Sequence, residues 1–148
     1  MIPDASDLAE YILMNYRNKV VEIGVGNQPQ VALLLKAGMD VIITDVNPQP
    51  EFKYGILPEK YSGIRFCSDD IFNPDMQIYK TASLIYSIRP PIDLQEAIAK
   101  VAREVGADLI IRPFGNEKAE LKSLYKNHCL INYKRSRFFL YKRQSADI

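Results

Sequence analysis

A chain of 148 residues, 47% hydrophobic and 25% charged, has the length for one domain that buries roughly two-thirds of its unfolded surface. A formal net charge of +1 excludes a partner captured by overall charge. No apolar run approaches the ~18 residues of a membrane span. The start, Met-Ile-Pro-Asp-Ala-Ser-Asp, lacks the basic and apolar blocks of a secretion signal, so a cytoplasmic protein is expected.

In chain order, Asp4 is placed to cap a first helix that runs to about Tyr16, with Leu8, Ile12 and Tyr16 four apart on one face. Residues 20–25 are apolar apart from Glu22, the pattern of a parallel strand covered on both faces. Asn27 or Gln28 is expected to cap a second helix with Pro29 in its first turn. Val31, Leu34 and Leu35 form its buried stripe, and Gly38 stands at a left-handed stop. Residues 41–45 make the second strand.

The stretch 46–63 holds Pro48, Pro50 and Pro58 and shows no helical period. Ile64–Ser68 is a third strand, followed by the loop Asp69-Asp70-Ile71-Phe72-Asn73-Pro74, and Ala82–Ile88 is a fourth. Asp93 and Glu96 read as a capping box opening a helix whose stripe is Leu94, Ala97, Ile98, Val101, Ala102 and Val105, closed by Gly106. Residues 107–111 form a fifth strand, and Asn116 caps a further helix with Leu121, Leu124 and Tyr125 inward. Residues 129–133 and 137–142 pair as an antiparallel hairpin at the sheet edge, joined by Lys134-Arg135-Ser136. Cys67 and Cys129, each in an apolar run, are expected to be buried reduced thiols, neither a disulfide nor a metal site. His128, the one histidine, reads as a helix C-terminal cap.

Alternating strands and helices followed by a hairpin predict a single α/β domain over residues 1–148. It is doubly wound, Rossmann-like, with a mostly parallel sheet of about seven strands and a C-terminal antiparallel hairpin. In such a sheet Gly24 and Gly26 allow a tight turn and close approach of a ligand. Asp45, 21 residues after Gly24, is spaced to grip ribose hydroxyls from the end of the second strand. An adenosine-type ligand follows. Pro29 occupies the position of the third glycine in a dinucleotide fingerprint and removes an N–H that a pyrophosphate needs, so NAD is disfavoured.

The order of elements and the segment Glu22-Ile23-Gly24-Val25-Gly26 resemble the class I S-adenosylmethionine-dependent methyltransferases. With the length and the Arg89-Pro90-Pro91 segment, the chain is similar to a small archaeal family of unknown function with that methyltransferase-type fold. The resemblance implies S-adenosylmethionine as cofactor, with Gly24, Gly26 and Asn27 beside its methionine part and Asp45 on the ribose. Val46 would pack on the adenine, Asp69 or Asp70 would accept its amino group, and Ile71 would cover the other face of the ring. The chain departs from the pattern at Gln28, where a third glycine is usual. It also departs at Arg89 and Ile92, where amine methyltransferases carry an acceptor and an aromatic ring. No catalytic residue is identified.

Arg89-Pro90 and Arg112-Pro113 end neighbouring predicted strands, so both guanidiniums are expected at the carboxyl edge, together holding an anionic substrate. The alternative is that they are solvated and pair with Asp93 or Glu117. The hairpin from Tyr133 to Arg143 interleaves basic and aromatic side chains, which suits RNA, or alternatively a strand whose Lys and Arg guard the sheet edge while Phe and Tyr point inward. Three functions stand: a minimal methyltransferase or S-adenosylmethionine-binding domain, a non-catalytic nucleotide-binding or regulatory protein, and an RNA-associated protein. A protein partner is a further expectation.

Overall fold

The computed structural model describes residues 2–24, 29–46 and 59–144. Its elements run α1 (Ala5–Asn15), β1 (Lys19–Ile23), α2 (Gln30–Leu35), β2 (Asp40–Asp45), a 3-10 turn (Glu59–Tyr61), β3 (Ile64–Ser68), α3 (Met76–Tyr79) and β4 (Ala82–Ile88). They continue with α4 (Ile92–Val105), β5 (Asp108–Arg112), β6 (Asn127–Tyr133) and β7 (Ser136–Lys142). One seven-stranded sheet has the order β3-β2-β1-β4-β5-β7-β6. The first five strands are parallel, and β7 runs antiparallel to both β5 and β6.

The sheet separates two apolar layers, because alternate residues of each strand face opposite ways. Val20, Val41, Ile43, Leu84, Ile110, Phe138 and Leu140 pack beneath Leu8, Ile12, Val31 and Leu35 of α1 and α2. Val21, Ile23, Ile85 and Leu109 face the other way, against Tyr79 of α3 and Ile98, Val101 and Ala102 of α4. Strand order grows leftward from β1 to β3 and rightward from β4 onward. The carboxyl ends of β1 and β4 therefore border the switch point where ligands of doubly wound sheets bind.

Several sequence expectations are corrected. Asp4 precedes α1, but its carboxylate caps nothing; it is drawn away to Arg112 and Ser136. Gly38 is not among the glycines with positive φ. It sits where a Cβ would come within 3.1 Å of Leu13, so its value is closeness to α1. Leu34 is exposed and Ala32 takes its place in the stripe. No capping box opens α4, whose cap position is Pro91; Glu96 pairs instead with Lys100 at 3.3 Å. Gln95 and Ala99 join its buried face.

The helix expected after Asn116 does not form. Residues 113–126 are irregular, and Gln95 of α4 is hydrogen-bonded into them: its Nε2 donates to Glu117 O at 2.9 Å and its Oε1 accepts from Ala119 N at 2.8 Å. Leu121 and Tyr125 still point inward, and Tyr125 Oη donates to Ala107 O at 2.8 Å. His128 therefore follows no helix; it lies in β6, stacked on Tyr141 with ring centroids 5.7 Å apart. Cys67 is half-buried and Cys129 exposed rather than both buried, since Cys129 belongs to the outermost strand. The hairpin turn is shorter than expected, as Ser136 already belongs to β7. That strand, which carries the inward Phe138 and Tyr141, is interior; the edge is β6. The short helix α3 was not foreseen. Asp75 caps it by accepting from Gln77 N.

Candidate functional site

Strand β1 stops at Ile23 because Gly24 turns the chain at φ +74°, a conformation that disfavours side chains. Its N–H donates to Thr44 O at 2.9 Å, so the turn begins anchored to β2. Two buried hydroxyls hold the last carbonyls of β1: Ser87 Oγ donates to Ile23 O at 2.7 Å, and Thr44 Oγ1 donates to Glu22 O at 3.4 Å. Among the described residues, nothing lies within 4 Å of a Cβ placed on Gly24. Gly26, Asn27 and Gln28 lie outside the described residues.

Asp45 ends β2, partly buried, opposite Ser68 of β3. The β2–β3 ladder continues one step further, with Asp69 N donating to Asp45 O at 3.1 Å. Val46, next in the chain, is 58% exposed at the same edge. The two acids after β3 behave differently. Asp69 turns back into the fold, where its carboxylate accepts from Asp75 N at 2.9 Å and from the Tyr79 hydroxyl. Asp70 is exposed, and its Oδ1 accepts from Phe72 N at 3.0 Å, forming the turn. Ile71 packs partly against the α3–α4 layer.

Beneath the glycine turn lies a carboxyl group whose role the sequence did not disclose. Glu22 is 2% exposed and accepts from Tyr86 Oη, across the sheet on β4, at 2.7 Å. Burial pushes its pKa up to about 8, and the nearby Asp45 charge adds to that, against the Tyr86 hydrogen bond. Glu22 is therefore protonated at neutral pH. The one available signal was a lone acid inside an otherwise apolar strand.

The two strand-end arginines have separate surroundings. Arg89 adopts φ +54°, donates its backbone N–H to Arg112 O at 2.6 Å, and lays its guanidinium over Phe114 at 5.4 Å. Arg112 turns to Asp4, with Nη2 2.7 Å from Oδ1 in a pair that is nearly buried. Neither Asp93 nor Glu117 is the partner.

The chain and its fold have parallels among known proteins. The model of an uncharacterised protein family, UPF0146, matches residues 5–143. A UPF0146 protein of Archaeoglobus fulgidus is 42% identical over 141 residues, covering 95% of this chain and 96% of that one. Among solved structures, the methyltransferase domain of bacterial CtHen1 superposes with a TM-score of 0.67 at 13% identity, covering 93% of this chain and 96% of that one. The N-terminal domain of EvdMO1 with S-adenosylhomocysteine bound superposes with a TM-score of 0.68 at 11% identity, covering 97% and 83%. At such identities the structural likeness is one of fold.

Proposed function

The chain belongs to UPF0146, an archaeal family whose function is uncharacterised, and from that premise we propose that it binds S-adenosylmethionine at the end of β1 and acts as a minimal methyltransferase. The observation that carries this reading is Gly24 at positive φ, clear of the other described residues where a Cβ would stand, one strand away from the acid that ends β2. A backbone without a side chain facing a carboxylate fits a ribose and the chain attached to it.

In this reading Gly24, Gly26 and Asn27 border the methionine part and Asp45 accepts from the ribose hydroxyls. Val46, already exposed, covers the adenine from one side and Ile71 from the other. Of the two acids after β3, Asp70 is the better acceptor for the adenine amino group. Its Oδ1 serves the turn, and Oδ2 remains for the ligand, whereas Asp69 is engaged by Asp75 and Tyr79. Glu22 stays neutral below the turn and so puts no second charge beside Asp45. Pro29 at the head of the six-residue α2 offers no N–H, which favours this cofactor over a dinucleotide.

When bound, the cofactor supplies an electrophilic methyl carbon. What the protein contributes is position, which is enough for a displacement of this kind. Arg89, at the end of β4 and across the switch point from Gly24, is the cation on the acceptor side, with Arg112 held behind it by Asp4.

A thermal-shift series with S-adenosylmethionine, S-adenosylhomocysteine, NAD and ATP tests the reading. Ligand at 100 times its dissociation constant adds about 2.7 kcal/mol, a rise of roughly 5–11 °C for a domain near this size. The expected result is a rise with the first two, none with NAD, and loss of the effect in Asp45→Ala. No rise with any of the four would favour a protein that has kept the fold without the cofactor.

A further inference from the structure

The missing helix after β5 leaves part of one sheet face uncovered. Leu130 and Phe139 are cross-strand partners on β6 and β7 and share that face with Arg137 and with the buried Tyr141. Toward Tyr141 the face is closed by Tyr125, whose ring lies 5.9 Å from it. Toward the hairpin tip it is not: Phe139 is half-buried and Leu130 is 38% exposed. A cavity of about 190 Å³ opens there, between the irregular segment at Gly115 and Asn116 and the hairpin, and three arginines line it: Arg112, Arg135 and Arg137.

The charges around this cavity are unevenly matched. Asp4 neutralises Arg112 at 2.7 Å, and Asp7 reaches Arg135 at a looser 3.4 Å, with the arginine side chain 75% exposed. Among the described residues Arg137 has no carboxylate within ion-pair distance. Lys118 lies over the Phe139 ring, 5.0 Å from its centroid. An apolar ring and an aliphatic side chain thus form the floor, the Asn116 amide one wall, and an uncompensated guanidinium the rim.

We propose that this cavity is a binding site for single-stranded nucleic acid, with a phosphodiester on Arg137 and Arg135 and an unstacked base against Phe139. Guanidiniums pair with phosphate oxygens in a bidentate manner, and an aromatic face beside them accepts any base. An acidic protein segment would satisfy the charge but would make no use of the ring. The site lies beyond β5, at least three strands from the glycine turn, and does not depend on the methyl-donor reading.

The test is fluorescence anisotropy of labelled ten-nucleotide RNA and of the matching single-stranded DNA, with the full chain, at about 50 mM salt and without S-adenosylmethionine. Binding that weakens with salt is expected. Arg137→Glu should lose about tenfold or more, and Arg137→Lys, which keeps the charge but not the two-pronged contact, should lose less than Arg137→Glu. Phe139→Leu, which keeps an apolar side chain in place, should lose about fivefold or more. All three should melt as the parent does. Arg103→Glu, an equal charge change on the far end of α4, should leave binding unchanged. The proposal is overturned by absence of binding, by equal losses from Arg103→Glu and Arg137→Glu, or by heparin competing as well with the Phe139→Leu protein as with the parent.

Discussion

Two buried carboxyl groups on the α1 side of the sheet are handled in opposite ways. Asp4, where α1 meets β5 and β7, has an arginine: Arg112 Nη2 at 2.7 Å, with Ser136 Oγ donating at 2.7 Å. Burial works to raise its pKa, but those hydrogen bonds and the Arg112 charge outweigh it and hold the group below its ordinary 3.8. Glu22, between β2 and β4, has a tyrosine, and burial prevails, holding the pKa near 8. Glu22 is the more deeply buried of the two and has only a hydroxyl beside it, whereas Asp4 has a cation, so depth and partner charge together set which carboxyl is ionised. The Asp4 region is a charged clasp that ties the chain's start to its last hairpin. The Glu22 region is a neutral hydrogen bond under the candidate notch.

The strongest way to break that contrast is Asp4→Ala. It leaves the Arg112 guanidinium, only 16% exposed, without its counter-charge, and a loss of about 3–5 kcal/mol in urea unfolding at pH 7 is expected. A loss near zero would mean that Arg112 reaches water and the clasp is ornamental. In the parent protein the Asp4 contribution should be fully present above pH ~4 and fade as pH falls through the depressed folded-state pKa.

Glu22→Gln should act in the opposite sense. In the folded chain the carboxyl keeps its proton to about pH 8, while in the unfolded chain it releases it near 4.5. The unfolded state therefore binds fewer protons between those limits, and stability falls as pH rises through them. Glutamine has the same shape, still accepts from Tyr86, and cannot ionise. The variant should gain roughly 4–5 kcal/mol over the parent at pH 9, shrinking to little near pH 4. Parallel stability profiles for the two proteins would show that Glu22 is ionised in the fold.

Tyr86→Phe gives the smallest change and sharpens the comparison. It removes the one hydrogen bond that favours the Glu22 carboxylate, so the alkaline decline should extend to higher pH, with a loss of about 1–2 kcal/mol at pH 7. An alkaline limb that moved to lower pH would show that the Tyr86 hydroxyl favours the neutral acid instead.

Much of the architecture was legible in the order of residues. Strand β4 begins and ends where its largely apolar run does, because a strand covered on both faces favours that composition. Gly106 was readable as the stop of α4 because the left-handed conformation, here φ +75°, is nearly a glycine property. The glycine turn and Asp45 were legible for the same reason: backbone geometry and chain spacing are local quantities. The capping signals misled. Asp4 has a stronger partner in Arg112 than the helix end offers, and α4 begins at Ile92 with Pro91 in the cap position, ahead of the expected box, so propensity misread both.

What the amino-acid order determined by itself, then, is the α/β layering, the succession of elements, and the positions of a glycine turn after β1 and an acid at the end of β2. Those follow from periodicity and from φ, which act over a few residues. Only the tertiary structure decided that Asp4 is ionised and Glu22 is not, that Gln95 is bonded into an irregular segment where a helix was expected, and that three arginines ring the space left open. Each of these depends on groups distant along the chain: 108 residues separate Asp4 from Arg112, and 64 separate Glu22 from Tyr86. Burial and partner charge, which set the energy of a carboxyl or a backbone amide, exist only once those groups meet.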